Sequence, residues 1–257
     1  MQKLSIAIIT YNEVDRIGRA LESIRFADEI LVVDGGSTDE TVALCRAFGA
    51  RVLSRPFDGF VSQKQFALEQ ASHPWVLSLD ADEQVSPSLA LSIHRVLEAT
   101  DLRMQGFTCA RRNFYLGVPI RFAGWYPDRK LRLVQRATAC WTGLDPHDRL
   151  EVTGKVGHLE GDLFHHSYRD LADHARKISR YAVVWAHSAR SVGRRAGAID
   201  LALRPLHHFV RRFLLAQGFR EGLTGLVLCT MGAYSVFLKY ACLLELQKKD
   251  DRLEGER

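Results

Sequence analysis

Residues 75–83 read Trp-Val-Leu-Ser-Leu-Asp-Ala-Asp-Glu, an apolar run ending on two carboxylates, Asp80 and Asp82. Four of the five residues before Asp80 are apolar, the pattern of a parallel strand covered on both faces. The carboxyl end of such a strand is where α/β sheets bind ligands. Residues i and i+2 of an extended chain point the same way, which predicts Asp80 and Asp82 on one side with Ala81 keeping the turn small. Two carboxylates that close need a cation, and a divalent ion carrying a diphosphate meets the need. The plainer alternative makes one of them the N-cap of a helix starting near Ser86-Pro87.

Upstream, residues 4–9 form a short β-branched run ending at Thr10-Tyr11-Asn12-Glu13, and a helical pattern follows with Ile17, Ala20, Leu21 and Ile24 on one face. The run 29–33 ends at Asp34-Gly35-Gly36-Ser37-Thr38-Asp39-Glu40 and leads into a second helix over 41–48, for which Asp39 reads as a cap. A strand at 51–53 and a helix at 60–71 carrying Lys64 complete the series. Strand and helix thus alternate four times before residue 80, which predicts an α/β fold with a doubly wound, mostly parallel sheet flanked by helices. Gly35-Gly36 lets the backbone approach a ligand closely. The spacing is not G-x-G-x-x-G and no Walker loop is present, which argues against dinucleotide and P-loop nucleotide binding.

The chain has 257 residues, 47% of them hydrophobic and 25% charged, as in an ordinary soluble enzyme. Its formal charge of +5 is unevenly spread. Residues 168–220 hold 11 Lys and Arg against three acids, while the segments on either side are slightly negative. Such a block suits anionic lipid headgroups or a phosphorylated acceptor, and no groove-reading motif points to nucleic acid. Five cysteines without C-x-x-C spacing predict reduced thiols in the cytosol. The N-terminus shows no signal-peptide pattern, which places the catalytic part in the cytoplasm.

Taken in order, Thr10-Tyr11-Asn12-Glu13, Val33-Asp34-Gly35-Gly36-Ser37-Thr38-Asp39, the Gln63-Lys64 pair and Leu79-Asp80-Ala81-Asp82-Glu83 resemble the successive signatures of glycosyltransferase family 2. That resemblance implies a GT-A fold, Rossmann-like, and transfer from a nucleotide-diphosphate sugar with inversion. It implies that Thr10, Tyr11, Asn12 and Glu13 line the nucleotide pocket and that Asp34, with Gly35 beside it, accepts hydrogen bonds from the base. Lys64 would lie near the nucleotide, Asp80 and Ala81 near the ribose and metal, and Asp82 on the metal, Mn2+ or Mg2+.

The second half is dense in arginine, and residues 125–133, Trp-Tyr-Pro-Asp-Arg-Lys-Leu-Arg-Leu, resemble the acceptor-side segment of a narrower group, the glucosyltransferases of the lipopolysaccharide inner core. Arg129 and Arg132 are accordingly expected at an acceptor phosphate. That group shows a His-Glu pair where this chain has His147-Asp148, so Asp148 is expected as the base that takes the acceptor's proton, with Asp145 as competitor. His165 matches the group's late histidine and is expected to complete the metal shell.

Beyond residue 168 a helical pattern, repeated basic pairs and 16 uncharged residues at 223–238 predict a membrane-associating helical extension. A helical hairpin packed on protein or across a homo-oligomer interface is the alternative. The expected organisation is a catalytic domain over 1–168, with a nucleotide-sugar half at 1–100 and an acceptor half at 101–168, followed by the extension at 169–257. The expected function is metal-dependent, inverting transfer of glucose from a UDP-sugar to a heptose of the lipopolysaccharide core, peripheral on the cytosolic face of the inner membrane. A lipid-linked acceptor, as in a polyprenyl-phosphate synthase, and a non-catalytic membrane adaptor are the alternatives.

Overall fold

The computed structural model describes residues 2–99, 103–144 and 147–255. They divide into two compact units, one of residues 1–112 and 127–165, the other of 113–126 and 166–257. The stretch 113–126, placed by the sequence in the acceptor half, belongs with the helical unit.

The first unit opens as the periodicity predicts: β1 (Leu4–Thr10), α1 (Val14–Ser23), β2 (Glu29–Asp34), α2 (Thr41–Ala47), β3 (Arg51–Ser54), α3 (Phe60–Gln70) and β4 (Trp75–Asp80). These strands pair in parallel, in the order β3-β2-β1-β4. Alternate residues serve opposite faces, as the two-residue period of a strand requires. Leu4, Ile6 and Ile8 of β1 and Trp75, Leu77 and Leu79 of β4 pack with Ile17 and Leu21 of α1. Ala7 and Val76 face the other way, toward Ala67 and Leu68 of α3. Both faces are covered, which is why these strands read as unbroken apolar runs.

After β4 the chain turns back through β5 (Glu83–Val85) into α4 (Pro87–Glu98). The cap of α4 is Ser86, whose Oγ accepts from the Leu89 N–H at 3.2 Å; neither Asp80 nor Asp82 has that role. The sheet then continues with antiparallel strands, β6 (Gly106–Tyr115), β8 (Asp128–Gln135) and β11 (Val156–His165), giving the order β4-β8-β6-β11-β5, while β7 (Val118–Pro119) pairs with the end of β6. The sheet is therefore mixed, parallel only in its first half. β9 (Ala139–Leu144) and β10 (His147–Val152) form a separate antiparallel pair that rests on α3 through Trp141 and Leu150.

In the second unit, α5 (Leu171–Ser191), α6 (Ala198–Val210) and α7 (Gly222–Gly255) pack together. Asp170 caps α5, its Oδ1 accepting from the Asp173 N–H at 2.6 Å. Pro205 lies inside α6, which gives way to a π turn over Arg211–Leu215. The 16-residue uncharged run proves to be part of α7, 34 residues long. Among the described residues one helix, Gly218–Lys249, is long and apolar enough to cross a membrane by length and composition.

His174 of α5 is buried with its Nδ1 2.9 Å from the Tyr115 hydroxyl and its ring stacked on Tyr168. Burial pushes its pKa down to about 4, with the Asp173 charge opposing and the Lys177 charge adding. Between that value and the unfolded-state value near 6.5 the unfolded chain binds the extra proton. The stability this neutral imidazole allows is therefore present above about pH 6.5 and lost as pH falls toward 4, by up to about 3 kcal/mol. Denaturant unfolding from pH 7 to 4 is expected to show that slope, and His174→Gln to flatten it; equal slopes would assign the pH dependence to other groups.

Candidate active site

The strand order reverses between β1 and β4, and the crevice beyond the carboxyl ends of strands at such a point is the general ligand site of open α/β sheets. There Thr10 ends β1, Asp34 ends β2 and Asp80 ends β4.

Lys64 of α3 joins the halves of the site. Its Nζ lies 2.9 Å from Asp80 Oδ1, 2.9 Å from Asp148 Oδ2 and 4.7 Å from the Trp141 ring centroid. The β9–β10 pair delivers Asp148 to it, since the Trp141 and Leu150 side chains that anchor this pair on α3 flank the acid. Burial alone would drive the proton off Lys64, but the charge of Asp80 and, against the repulsion of Arg132, that of Asp148 hold its pKa above the ordinary value. Burial likewise works against an ionised Asp80, yet Lys64 and Arg132 keep that carboxyl well below the usual range.

Arg132 of β8 donates from Nη2 to Asp80 Oδ2 at 3.0 Å and to Glu83 Oε1 at 2.7 Å. Glu83 is fully buried and accepts the Asp80 N–H at 3.1 Å through Oε2, which closes the turn after β4. That closure corrects the expectation of an extended Asp80-Ala81-Asp82 segment. The strand stops at Asp80, Ala81 and Asp82 form a turn, and the cations that meet Asp80, Lys64 and Arg132, differ from Arg16, which meets Asp82.

Asp82 Oδ2 lies 3.4 Å from Arg16 Nη1, and its Oδ1 lies 3.6 Å from His165 Nε2. Antiparallel pairing of β11 with β5 brings this histidine in, His165 standing opposite Glu83. Burial is the main cause that pushes the His165 pKa down to about 4, so its imidazole is neutral and its ring nitrogen can serve as a ligand. A separation of 3.6 Å is long for a hydrogen bond, but a divalent ion bonded at about 2.1 Å to each atom spans it. Asp82 and His165 thus fit the predicted metal ligands as a pair; no group of three or more His, Cys, Asp or Glu arranged for a metal occurs among the described residues.

Glu13 forms a two-pronged pair with Arg16, at 2.6 Å and 2.5 Å, and so connects through it to Asp82. Asp34 accepts from Gly36 N, Ser37 N and Ser37 Oγ. Gly36 has φ of +98°, a conformation that favours glycine. Asn12, at φ +52°, ties the two loops together: its Oδ1 accepts from the Thr38 N–H and its own N–H donates to Ser37 Oγ. The Gly35 N–H donates to the Thr10 carbonyl, and Tyr11 is exposed.

A cavity of about 660 Å3 collects Lys64, Asp80, Arg129, Arg132, Trp141 and Asp148 in its wall. Thr10–Glu13 and Asp34–Gly35 lie outside that lining, as do Ala81, Asp82 and His165. Asp145 falls outside the described residues. Arg16, Glu83, Arg111 and Trp141 are among the site residues to which sequence reasoning gave no role. Arg16 sits one turn before Ala20 on the buried face of α1, and a charge at such a position was the available signal.

A mixed sheet with acids at its switch point and a cationic crevice defines a group-transfer enzyme of the GT-A type. The model of the family described as "Glycosyl transferase family 2" matches residues 5–135. The chain is 32% identical to the lipopolysaccharide core biosynthesis glycosyltransferase LpsC of Rhizobium meliloti, over 93% of this chain and 90% of that protein. It is 30% identical to the uncharacterized glycosyltransferase RP128 of Rickettsia prowazekii, over 98% and 90%. Among solved structures, residues 1–349 of S. aureus TarS align at 15% identity with a TM-score of 0.49, over 96% of this chain and 92% of that one. The chain belongs to glycosyltransferase family 2.

The buried pairing supplies a stability test. Arg132→Met removes the main partner of the fully buried Glu83 and is expected to cost about 3–5 kcal/mol in denaturant unfolding. Adding Glu83→Gln should recover a large part of that loss; no recovery would mean that the Arg132 stem, not its charge, is what matters.

Proposed function

We propose that the chain moves glucose, with inversion, from a UDP-sugar to a heptose of the lipopolysaccharide inner core. The single observation that carries the reading is the Asp148–Lys64–Asp80 relay in the cavity wall. It holds an acceptor-side acid and a donor-side acid in fixed relation across one buried ammonium. The lipopolysaccharide acceptor is supported by the similarity to LpsC along nearly the whole chain, and glucose by the family resemblance of residues 125–133.

In this reading Thr10, Tyr11, Asn12, Glu13, Asp34 and Gly35 receive the nucleotide at the ends of β1 and β2. Lys64 fixes Asp148 through Oδ2, which orients Oδ1 toward the acceptor hydroxyl. As that oxygen attacks the anomeric carbon, its proton passes to Asp148 and the bond to the diphosphate breaks on the opposite face. Arg129 binds the acceptor's anionic group, and Arg132 holds Asp80 and Glu83 in place. Asp82 and His165 would hold Mn2+ or Mg2+, which supplies neutralisation of the charge developing on the departing diphosphate.

The helical unit is proposed to rest on the cytosolic leaflet. Ile199, Leu203, Leu206, Val210 and Leu214 recur at helical spacing and are exposed, a stripe suited to the acyl boundary, while Arg194, Arg195 and Arg211 supply charge for anionic lipid.

Asp148→Asn is expected to lower kcat by about 10²–10⁴ while calorimetric titration still shows UDP-glucose binding in the presence of Mn2+. Loss of donor binding in that variant would place Asp148 in the nucleotide pocket, and a preference for GDP-mannose would redirect the donor assignment. Leu203→Glu/Leu206→Glu should abolish co-sedimentation with phosphatidylglycerol vesicles; retained co-sedimentation would remove the apolar stripe from the membrane reading.

A further inference from the structure

The helical unit contains a cavity of its own, about 270 Å3 in volume. Four successive segments each send a basic side chain to its wall: Lys177 from α5, His208 from α6, Arg212 from the π turn and Lys239 from α7. No carboxylate lines it among the described residues. Trp125, Tyr168 and Tyr181 form aromatic wall, and Ile178, Leu228 and Val236 apolar floor.

The compensation of these cations is unequal. Lys177 has Asp173 at 3.3 Å and donates to the Ser167 carbonyl. Arg212 is positioned by neutral acceptors, its Nη1 donating to the Ala123 and Gly124 carbonyls at 2.9 and 3.1 Å. That fixes the guanidinium without cancelling its charge. Lys239 has neither an ion pair nor a side-chain hydrogen bond among the described residues, and the Trp185 ring centroid lies 5.9 Å from its ammonium. His208 packs so closely on α7 that a Cβ at Gly232 would come within 2.8 Å of its Nε2. Burial lowers the pKa of Lys239, and it lowers that of His208 together with the charges of Arg212, Arg211, His207 and Lys239. Arg212, Lys239 and His208, brought together without a carboxylate partner among the described residues, destabilise the folded chain until an anion joins them.

We infer that this cavity is a phosphate-binding site, taking a phosphomonoester whose apolar or sugar portion lies against the aromatic wall. Arg212 supplies planar donors in a fixed orientation, Lys239 a mobile point charge and Lys177 a partly compensated third contact. The volume falls just below the range of about 300–1,000 Å3 usual for drug-sized ligands, so it suits a single headgroup rather than a nucleotide sugar. The site is independent of the donor and acceptor proposed above. Its ligand can be a lipid headgroup or a soluble phosphate ester, and the same α6 helix that carries His208 presents the exposed apolar stripe.

The full chain is to be melted with and without inorganic phosphate and sn-glycerol 3-phosphate, and tested for co-sedimentation with phosphatidylcholine vesicles with and without phosphatidic acid. Saturating ligand at about ten times its Kd should raise the Tm by roughly 3 °C. Lys239→Met should melt at or above the wild-type temperature without ligand and lose that rise, which a merely structural lysine would not do. Lys3→Gln/Arg46→Gln removes two exposed charges of the first unit, far from any role in lipid or phosphate binding, and should keep the rise. A rise with the soluble esters assigns a soluble ligand. Lys239-dependent binding seen only with phosphatidic acid assigns a lipid headgroup, and Leu203→Glu/Leu206→Glu separates that from loss of the membrane surface itself. No ligand response in either format, or equal loss in the control and in Lys239→Met, would overturn the site.

Discussion

The Lys64 ammonium is buried, and the site depends on how its charge is met. A lone cation there would shed its proton. Asp80 and Asp148 prevent this, and each comes from a different layer: Asp80 from the central strand β4, Asp148 from the accessory β9–β10 pair. Because the ammonium must touch both, the accessory pair has one workable position on α3. Trp141 and Leu150 supply the apolar contact energy for that position, and Lys64 supplies its directionality.

Lys64 and Arg132 face three carboxylates, Asp80, Glu83 and Asp148; Arg111 adds a weaker attraction 3.6 Å from Glu83 while binding Asp128 at 2.6 Å. Glu83 is fully buried, and a buried acid is tolerated only when its oxygens are satisfied. Here they take Arg132 and the Asp80 N–H. The turn that results separates Asp82 from Asp80 and offers it to His165. One buried salt-bridge network therefore sets the direction of both acids of the motif.

The parallel half of the fold was legible because its strands are buried on both faces, and Ile17, Ala20, Leu21 and Ile24 mark the buried side of α1 without ambiguity. Strands β8 to β10 were not legible. β8 reads Asp-Arg-Lys-Leu-Arg-Leu-Val-Gln, and its Arg129, Lys130 and Arg132 all border the cavity, which breaks the apolar alternation. Asp34 and Asp80 were singled out from motif order, and each ends its strand. Their partners were not, because Lys64–Asp148 spans 84 residues and Arg16–Asp82 spans 66, and such contacts depend on tertiary packing. The extended geometry expected for Asp80-Ala81-Asp82 failed for a local reason, since Glu83 reaches back to the Asp80 N–H and forces a turn.

The two units treat buried cations in opposite ways, and the contrast separates structural charge from receptive charge. In the first unit Lys64 and Arg132 are each within 3.0 Å of two carboxylate oxygens, Asp80 and Asp148 for the lysine, Asp80 and Glu83 for the arginine. Their charges are consumed in holding the fold and the site together. In the second unit Arg212 is braced by carbonyls and Lys239 by nothing that bears negative charge among the described residues. Lysine has a long stem and reaches solvent easily when nothing is gained by keeping it in. A half-buried Lys239 beside His208 and Arg212 therefore costs stability in the unliganded chain, and that cost is the physical signature of a cavity shaped for an anion.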